Sequence, residues 1–213
     1  MMRMAIACVV GIWSLSAAAE TDGAPSPLVM VFLGDSITEG FGLPEEDALP
    51  ARLEAALAAE GYDIEIRNAG SSGDTTSGGR ERLDWSVGDD VDAVFIALGG
   101  NDALRALPPK DVESNLDAMI VALKTREIAV ILAGMLAPPN YGPDYGAEFN
   151  GLYPRLAEKH DLPFYPFLLD GVAAEPRLNQ PDGIHPNAAG VAAMVERLAP
   201  FLAATLFAGE ARQ

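Results

Sequence analysis

Leu28-Val29-Met30-Val31-Phe32-Leu33-Gly34-Asp35-Ser36-Ile37-Thr38 is the stretch that decides the fold. Its first six residues are apolar without alternation, as in a strand buried on both faces of a parallel sheet. They run into a polar turn with a serine at its centre. Asp and Ser after a strand often cap a helix or close a turn. A serine emerging from the end of a buried strand is also where a nucleophile can stand, and what the rest of the chain brings to that edge separates the two.

Outward from this stretch, strand and helix patterns alternate. A helix is predicted over 45–60, with Leu49, Leu53, Ala56 and Leu57 on one stripe and Gly61 ending it. Strands follow over 62–67 and 91–98, with a short helix over 80–87 between them. Helical spacing of Val112, Leu116, Met119, Ile120 and Leu123 marks 109–126, and Pro109 suits its first turn. A strand over 128–132, a helix over 146–160, a strand over 164–169 and a closing helix over 187–207 complete the series. Such alternation implies βαβ units and a mainly parallel sheet covered on both faces. In open sheets of this kind ligands bind at the carboxyl ends of the strands, and polar clusters fall there: Asp35-Ser36, Asn68 to Gly70, and Gly100-Asn101.

The 213-residue chain is 49% hydrophobic, enough for one substantial core, and its length favours one domain. With 14 Lys+Arg against 31 Asp+Glu, a formal charge of −17, it lacks the basic face that nucleic acid requires. Residues 1–19 stand apart. Arg3, an apolar stretch from Met4 to Leu15, and Ala17-Ala18-Ala19 before Glu20 form a secretory signal-peptide pattern. The apolar stretch is short for a span and is broken by Gly11 and Ser14, so no stable membrane anchor is expected. The expectation is an exported protein with one domain over 20–213. Cys8, the only cysteine, leaves with the leader, so no disulfide is expected.

Two histidines make the search for a base short. His160, after Lys159 at the expected end of a helix, is read as a surface residue. His185 lies in Pro181-Asp182-Gly183-Ile184-His185-Pro186, directly before the last helix. A serine hydroxyl becomes a nucleophile when an imidazole, held in one tautomer by a carboxylate, takes its proton. Asp182 can reach the His185 ring from within that loop. The same residues also fit a helix-entry turn. A metal pair would have to recruit further carboxylates, so neither metal nor other cofactor is expected. For a developing oxyanion, Gly70 offers an N–H with no side chain in the way and Asn101 a side-chain amide. Each also fits as a turn or cap residue. The Gly-x-Ser-x-Gly elbow is absent, since Thr38 stands at its second Gly, which disfavours a standard α/β-hydrolase.

Gly34-Asp35-Ser36, Asn68-Ala69-Gly70, Gly99-Gly100-Asn101-Asp102 and Asp182-Gly183-Ile184-His185-Pro186 resemble, in order and approximate spacing, the four signature blocks of the SGNH, or GDSL, hydrolases. Ser72-Gly73-Asp74-Thr75-Thr76, Leu98 to Leu107, Pro139-Asn140-Tyr141-Gly142 and Tyr165-Pro166-Phe167 extend the likeness to the bacterial thioesterase I / lysophospholipase L1 / arylesterase branch. The resemblance implies the SGNH hydrolase fold, a flavodoxin-like three-layer α/β/α sandwich with a central parallel five-stranded sheet in the order 2-1-3-4-5. It implies Ser36 as nucleophile, His185 as base and Asp182 as its orienter, with the Ser36 N–H, Gly70 and Asn101 forming the oxyanion hole. The branch hydrolyses acyl esters, thioesters and lysophospholipids and is often periplasmic, which suits the leader. At Ile37-Thr38 the branch often has Leu then Ser, a departure that affects packing beside the nucleophile.

Leu104, Leu107, Met135, Leu136, Tyr141 and Ile184 lie in or beside the loops expected to surround Ser36, and would favour an apolar acyl chain. Asp74 is a further candidate substrate contact. The Gly, Ser and Thr content of 74–79 suggests a mobile cover. A small-molecule substrate and a monomer are expected. Two other functions fit less well: a carbohydrate acetylesterase, for which the loops offer few aromatics beyond Tyr141, Tyr145 and Phe149, and a non-catalytic binding protein, which would have no need of all five site residues.

Overall fold

The computed structural model describes residues 26–208; the leader assigned to 1–19 lies outside them. Strand β1, Leu28–Gly34, is followed by a single-turn helix α1, Ser36–Glu39, and then by α2, Leu49–Ala59. Strand β2, Ile64–Gly70, leads to α3, Thr76–Glu81, and α4, Leu83–Ser86. After β3, Ala93–Ala97, come α5, Gly100–Leu104, and α6, Pro109–Thr125. The series ends with β4, Ala129–Ala133, α7, Pro143–His160, β5, Phe164–Tyr165, and α8, Ala188–Leu206.

The five strands form one parallel sheet in the order β2-β1-β3-β4-β5. The chain reverses direction of travel across the sheet between β1 and β3, so the crevice at their carboxyl ends is the topological switch point. Helices flank the sheet in two groups, α2 with α8 and α6 with α3 and α7. The expected reason holds for β1: Met30, Phe32 and Leu33 are fully buried, and Phe32 stacks on Phe95 of β3 with ring centroids 4.5 Å apart. Helix α8 is apolar and long enough to cross a membrane, but Val191, Met194, Leu198 and Leu202 are buried and it packs on α2, which makes it a core helix.

Several boundaries differ from the periodicity. The helix predicted over 45–60 is a 3-10 turn, Glu45–Asp47, and then α2, because Ala48 is extended and Pro50 opens a new first turn. β2 starts later than predicted and runs on to Gly70, because its pairing with β1 continues to Gly34. β5 stops after two residues, where Pro166 has no N–H to continue the ladder. Residues 76–79, read as part of a mobile cover, are the first turn of α3. Thr76 is fully buried there, its N and Oγ1 donating to Asp102 at 2.9 and 2.7 Å.

Candidate active site

The site grows from the ends of the strands. Where β1 ends, Asp35 caps α1 by accepting from the Ile37 N–H at 3.0 Å, which leaves Ser36 as the first helical residue. The Ser36 N–H makes no hydrogen bond among the described residues. Thr38 is fully buried beside it with its Oγ1 unpartnered; nothing in the structure explains that orphan.

Ser36 Oγ lies 2.9 Å from His185 Nε2, although 149 residues separate them. His185 Nδ1 lies 2.7 Å from Asp182 Oδ2, while Asp182 Oδ1 accepts from the backbone N–H groups of Ile184 and His185 at 2.9 and 3.0 Å. The His185 bond and these two N–H groups hold the Asp182 carboxyl down to about 2. An ionised carboxylate only accepts, so Nδ1 carries the proton and Nε2 is free to accept from Ser36. The loop itself is bolted down: Gln180 N donates to His185 O at 2.8 Å, and Asn187 caps α8 through the Ala189 and Gly190 N–H groups.

Asn101 arrives on α5. Its Nδ2 is 3.4 Å from Asp35 Oδ2, and both line a cavity of about 390 Å³ with Ser36 and His185. Its walls are apolar, with Leu104, Met135, Leu136, Phe167, Leu169 and Ile184 among them. Asp35 is 2% exposed, and burial is the main cause that pushes its carboxyl up to about 6.

The structure brings Ser36, Asn101, Asp182 and His185 together and gives Gly70, Asp74, Leu107 and Tyr141 other partners. The Gly70 N–H donates to Asn68 Oδ1 at 2.9 Å, and a Cβ on Gly70 would lie 2.1 Å from Glu39 N. That glycine lets β2 pass close to α1, and its N–H is spent. Gly73, in the next turn, has φ +83°, and its N–H makes no hydrogen bond among the described residues. Its carbonyl accepts from Arg105, the residue that ends the Asn101 helix, at 3.0 Å. Asp74 does not line the cavity: it pairs with Arg82 at 2.5 Å, and Arg82 donates on to Gly34 O at 2.8 Å, supporting the strand end from below. Leu107 and Tyr141 lie outside the lining too, because both belong to a clamp on α5. Tyr145 and Tyr141 donate to the carbonyls of Leu107 and Leu104. Leu104 and Ile184 do line the cavity.

His160 is not a plain surface residue. Its side chain is 11% exposed and pairs with Asp117, which Lys159 also contacts, joining α7 to α6. The sequence-based expectation missed Phe167 and Leu169 as cavity wall because they were assigned to a longer β5; Pro166 was the available signal.

Residues 32–193 match the GDSL-like lipase/acylhydrolase family. An arylesterase of Vibrio mimicus is 39% identical over 159 residues, covering 74% of this chain and 80% of that protein. The thioesterase 1/protease 1/lysophospholipase L1 of Escherichia coli K12 is 34% identical over 159 residues, covering 74% and 75%. The crystal structure of TesA superposes with a TM-score of 0.79 at 37% identity, covering 84% of this chain and 99% of that one.

Proposed function

The chain belongs to the GDSL-like lipase/acylhydrolase family, and from that premise we propose that it is a serine hydrolase cleaving acyl esters and thioesters through an acyl-enzyme on Ser36. The observation that carries this is the relay from Ser36 Oγ to His185 Nε2, 2.9 Å, and from Nδ1 to Asp182, 2.7 Å, opening on an apolar cavity. Ser36 Oγ attacks the acyl carbonyl as Nε2 takes its proton, and Asp182 stays ionised and steadies the imidazolium. The tetrahedral oxyanion is met by the free Ser36 N–H and by Asn101 Nδ2, with the Gly73 N–H as third donor in place of Gly70. His185 then gives the proton to the departing alcohol or thiol. Water, deprotonated by His185, attacks the acyl-serine, and the carboxylic acid leaves as Ser36 regains its proton.

The apolar wall supports an acyl chain longer than acetyl. Relatives named arylesterase and thioesterase 1/lysophospholipase L1 support both oxygen and sulfur leaving groups. The leader pattern over 1–19 supports action outside the cytoplasm. The test is hydrolysis of p-nitrophenyl esters and acyl thioesters of graded chain length, together with labelling by an alkylphosphonate reagent and mass mapping of the modified peptide. The expected result is one adduct on Ser36 and activity extending beyond acetyl. An adduct elsewhere sinks the mechanism, and activity confined to acetyl turns the reading to carbohydrate acetyl esters. Asn101→Ala is expected to lower kcat about 10²- to 10³-fold with KM nearly unchanged, because an oxyanion donor acts on charge that exists only in the transition state. An equal rise in KM at unchanged kcat would make Asn101 a binding residue instead.

A further inference from the structure

Phe41 is an aromatic residue whose burial does not explain it: the residue is 48% exposed. Its ring lies on the His185 imidazole, with centroids 4.6 Å apart and planes 37° from parallel. The backbone makes this contact deliberate. The Phe41 N–H donates at 3.0 Å to the carbonyl of Ser36, so the ring hangs from the nucleophile's own helix. The Phe41 carbonyl accepts at 2.7 Å from Gln180 Nε2, which also donates to Pro186 O at 3.0 Å, while the Gln180 N–H holds His185 O. One glutamine thus ties the turn that carries Phe41 to the loop that carries His185.

We propose that Phe41 is a positioning residue for the reaction: its ring face braces the His185 imidazole at hydrogen-bond distance from Ser36 and stabilises the imidazolium formed when Ser36 gives up its proton. A cation within about 6 Å of an aromatic centroid is attracted by the ring's negative face, and the 4.6 Å spacing meets that condition. The charged groups that face the imidazole are Asp182 from its own loop and the buried Asp35 from the turn before α1, both carboxyls. The cavity wall beside it, Leu104, Met135, Leu136 and Ile184, carries no charge. Phe41 therefore adds to the imidazole a stabilising aromatic contact that carries no charge of its own.

The inference rests on the serine hydrolase reading, and its test separates the two. Phe41→Leu keeps an apolar side chain and removes the π face; Phe41→Trp keeps the face. The kcat/KM of both is measured against pH on a p-nitrophenyl ester, next to wild type and Ser36→Ala. Phe41→Leu is expected to lower the plateau by about threefold to tenfold, chiefly in kcat, and to move the acid limb to lower pH by about half a unit, because the charged ring is no longer favoured. Phe41→Trp is expected to keep both near wild type. A merely structural Phe41 would lower the plateau and leave the limb in place. An unmoved limb in Phe41→Leu, or a Phe41→Trp profile like that of Phe41→Leu, overturns the inference even while Ser36→Ala is inactive. An active Ser36→Ala overturns the underlying mechanism instead.

Discussion

Ser36→Ala is expected to lower kcat on p-nitrophenyl esters by about 10⁴-fold or more while leaving KM within a few-fold of wild type. The size follows from what the substitution removes and what it leaves. In the proposed mechanism the Ser36 Oγ is the atom that bonds to the acyl carbon, and it is the one hydroxyl hydrogen-bonded to His185 Nε2 among the described residues. The Ser36 N–H, Asn101 and the apolar wall stay in place, so in the proposed mechanism substrate still binds and the oxyanion donors still act on any water that His185 activates. The Asp182–His185 pair lies outside the change, and Ala suits the first turn of α1, so thermal unfolding should stay close to wild type. Steady-state rates combined with loss of the pre-steady-state burst of nitrophenolate check this. A variant that keeps wild-type turnover would remove Ser36 from the chemistry.

Asp35→Asn is expected to stabilise the fold at neutral pH and weaken the enzyme. The Asp35 carboxyl is 2% exposed and accepts hydrogen bonds from the Ile37 N–H and, at 3.4 Å, from Asn101 Nδ2. Burial raises it from the ordinary 3.8 to about 6. Between these values the folded protein holds a proton that the unfolded chain has released, so this group favours folding most at low pH. Its contribution declines as pH rises from about 4 to about 6 and is constant above that. At neutral pH the buried charge costs at most about 3 kcal/mol. Asparagine is as good a helix cap, so its side-chain oxygen can keep the Ile37 bond while the charge is gone. A Tm gain of several degrees at about pH 7 that closes by about pH 4 is the expected result. Equal stability at both pH values would show that the carboxyl carries no such cost. The new amide would aim its N–H₂ at Asn101, donor against donor, so kcat is expected to fall about as far as in Asn101→Ala. That outcome would mean stability is given up to hold the proposed oxyanion donor in place, the kind of exchange often found at active sites.

Gly70 and Gly73 show where sequence stops being sufficient. Gly70 ends β2 and Gly73 lies in the turn just after it, and from sequence either can present an N–H. The side chain of Asn68 occupies the first, while the second makes no hydrogen bond among the described residues and its residue, at φ +83°, is tethered to the Asn101 helix through Arg105. Asp74 offers the same lesson: a carboxylate near a nucleophile suggests substrate contact until Arg82 is seen to neutralise it. Phe41 has no periodicity or motif to mark it, because its partner lies at the far end of the chain.

The strands, the long helices and the polar blocks at strand ends were determined by the sequence alone. Burial on both faces demands continuous apolar runs, helical packing demands its own period, and acyl transfer demands a serine, a histidine and a carboxylate. The strand order matched what the family resemblance implied. Which N–H is free, which carboxylate is paired and which apolar residues line the cavity were decided only by the tertiary structure. Those properties depend on neighbours brought close by folding, as with Ser36 and His185, and no local pattern records the distance between them.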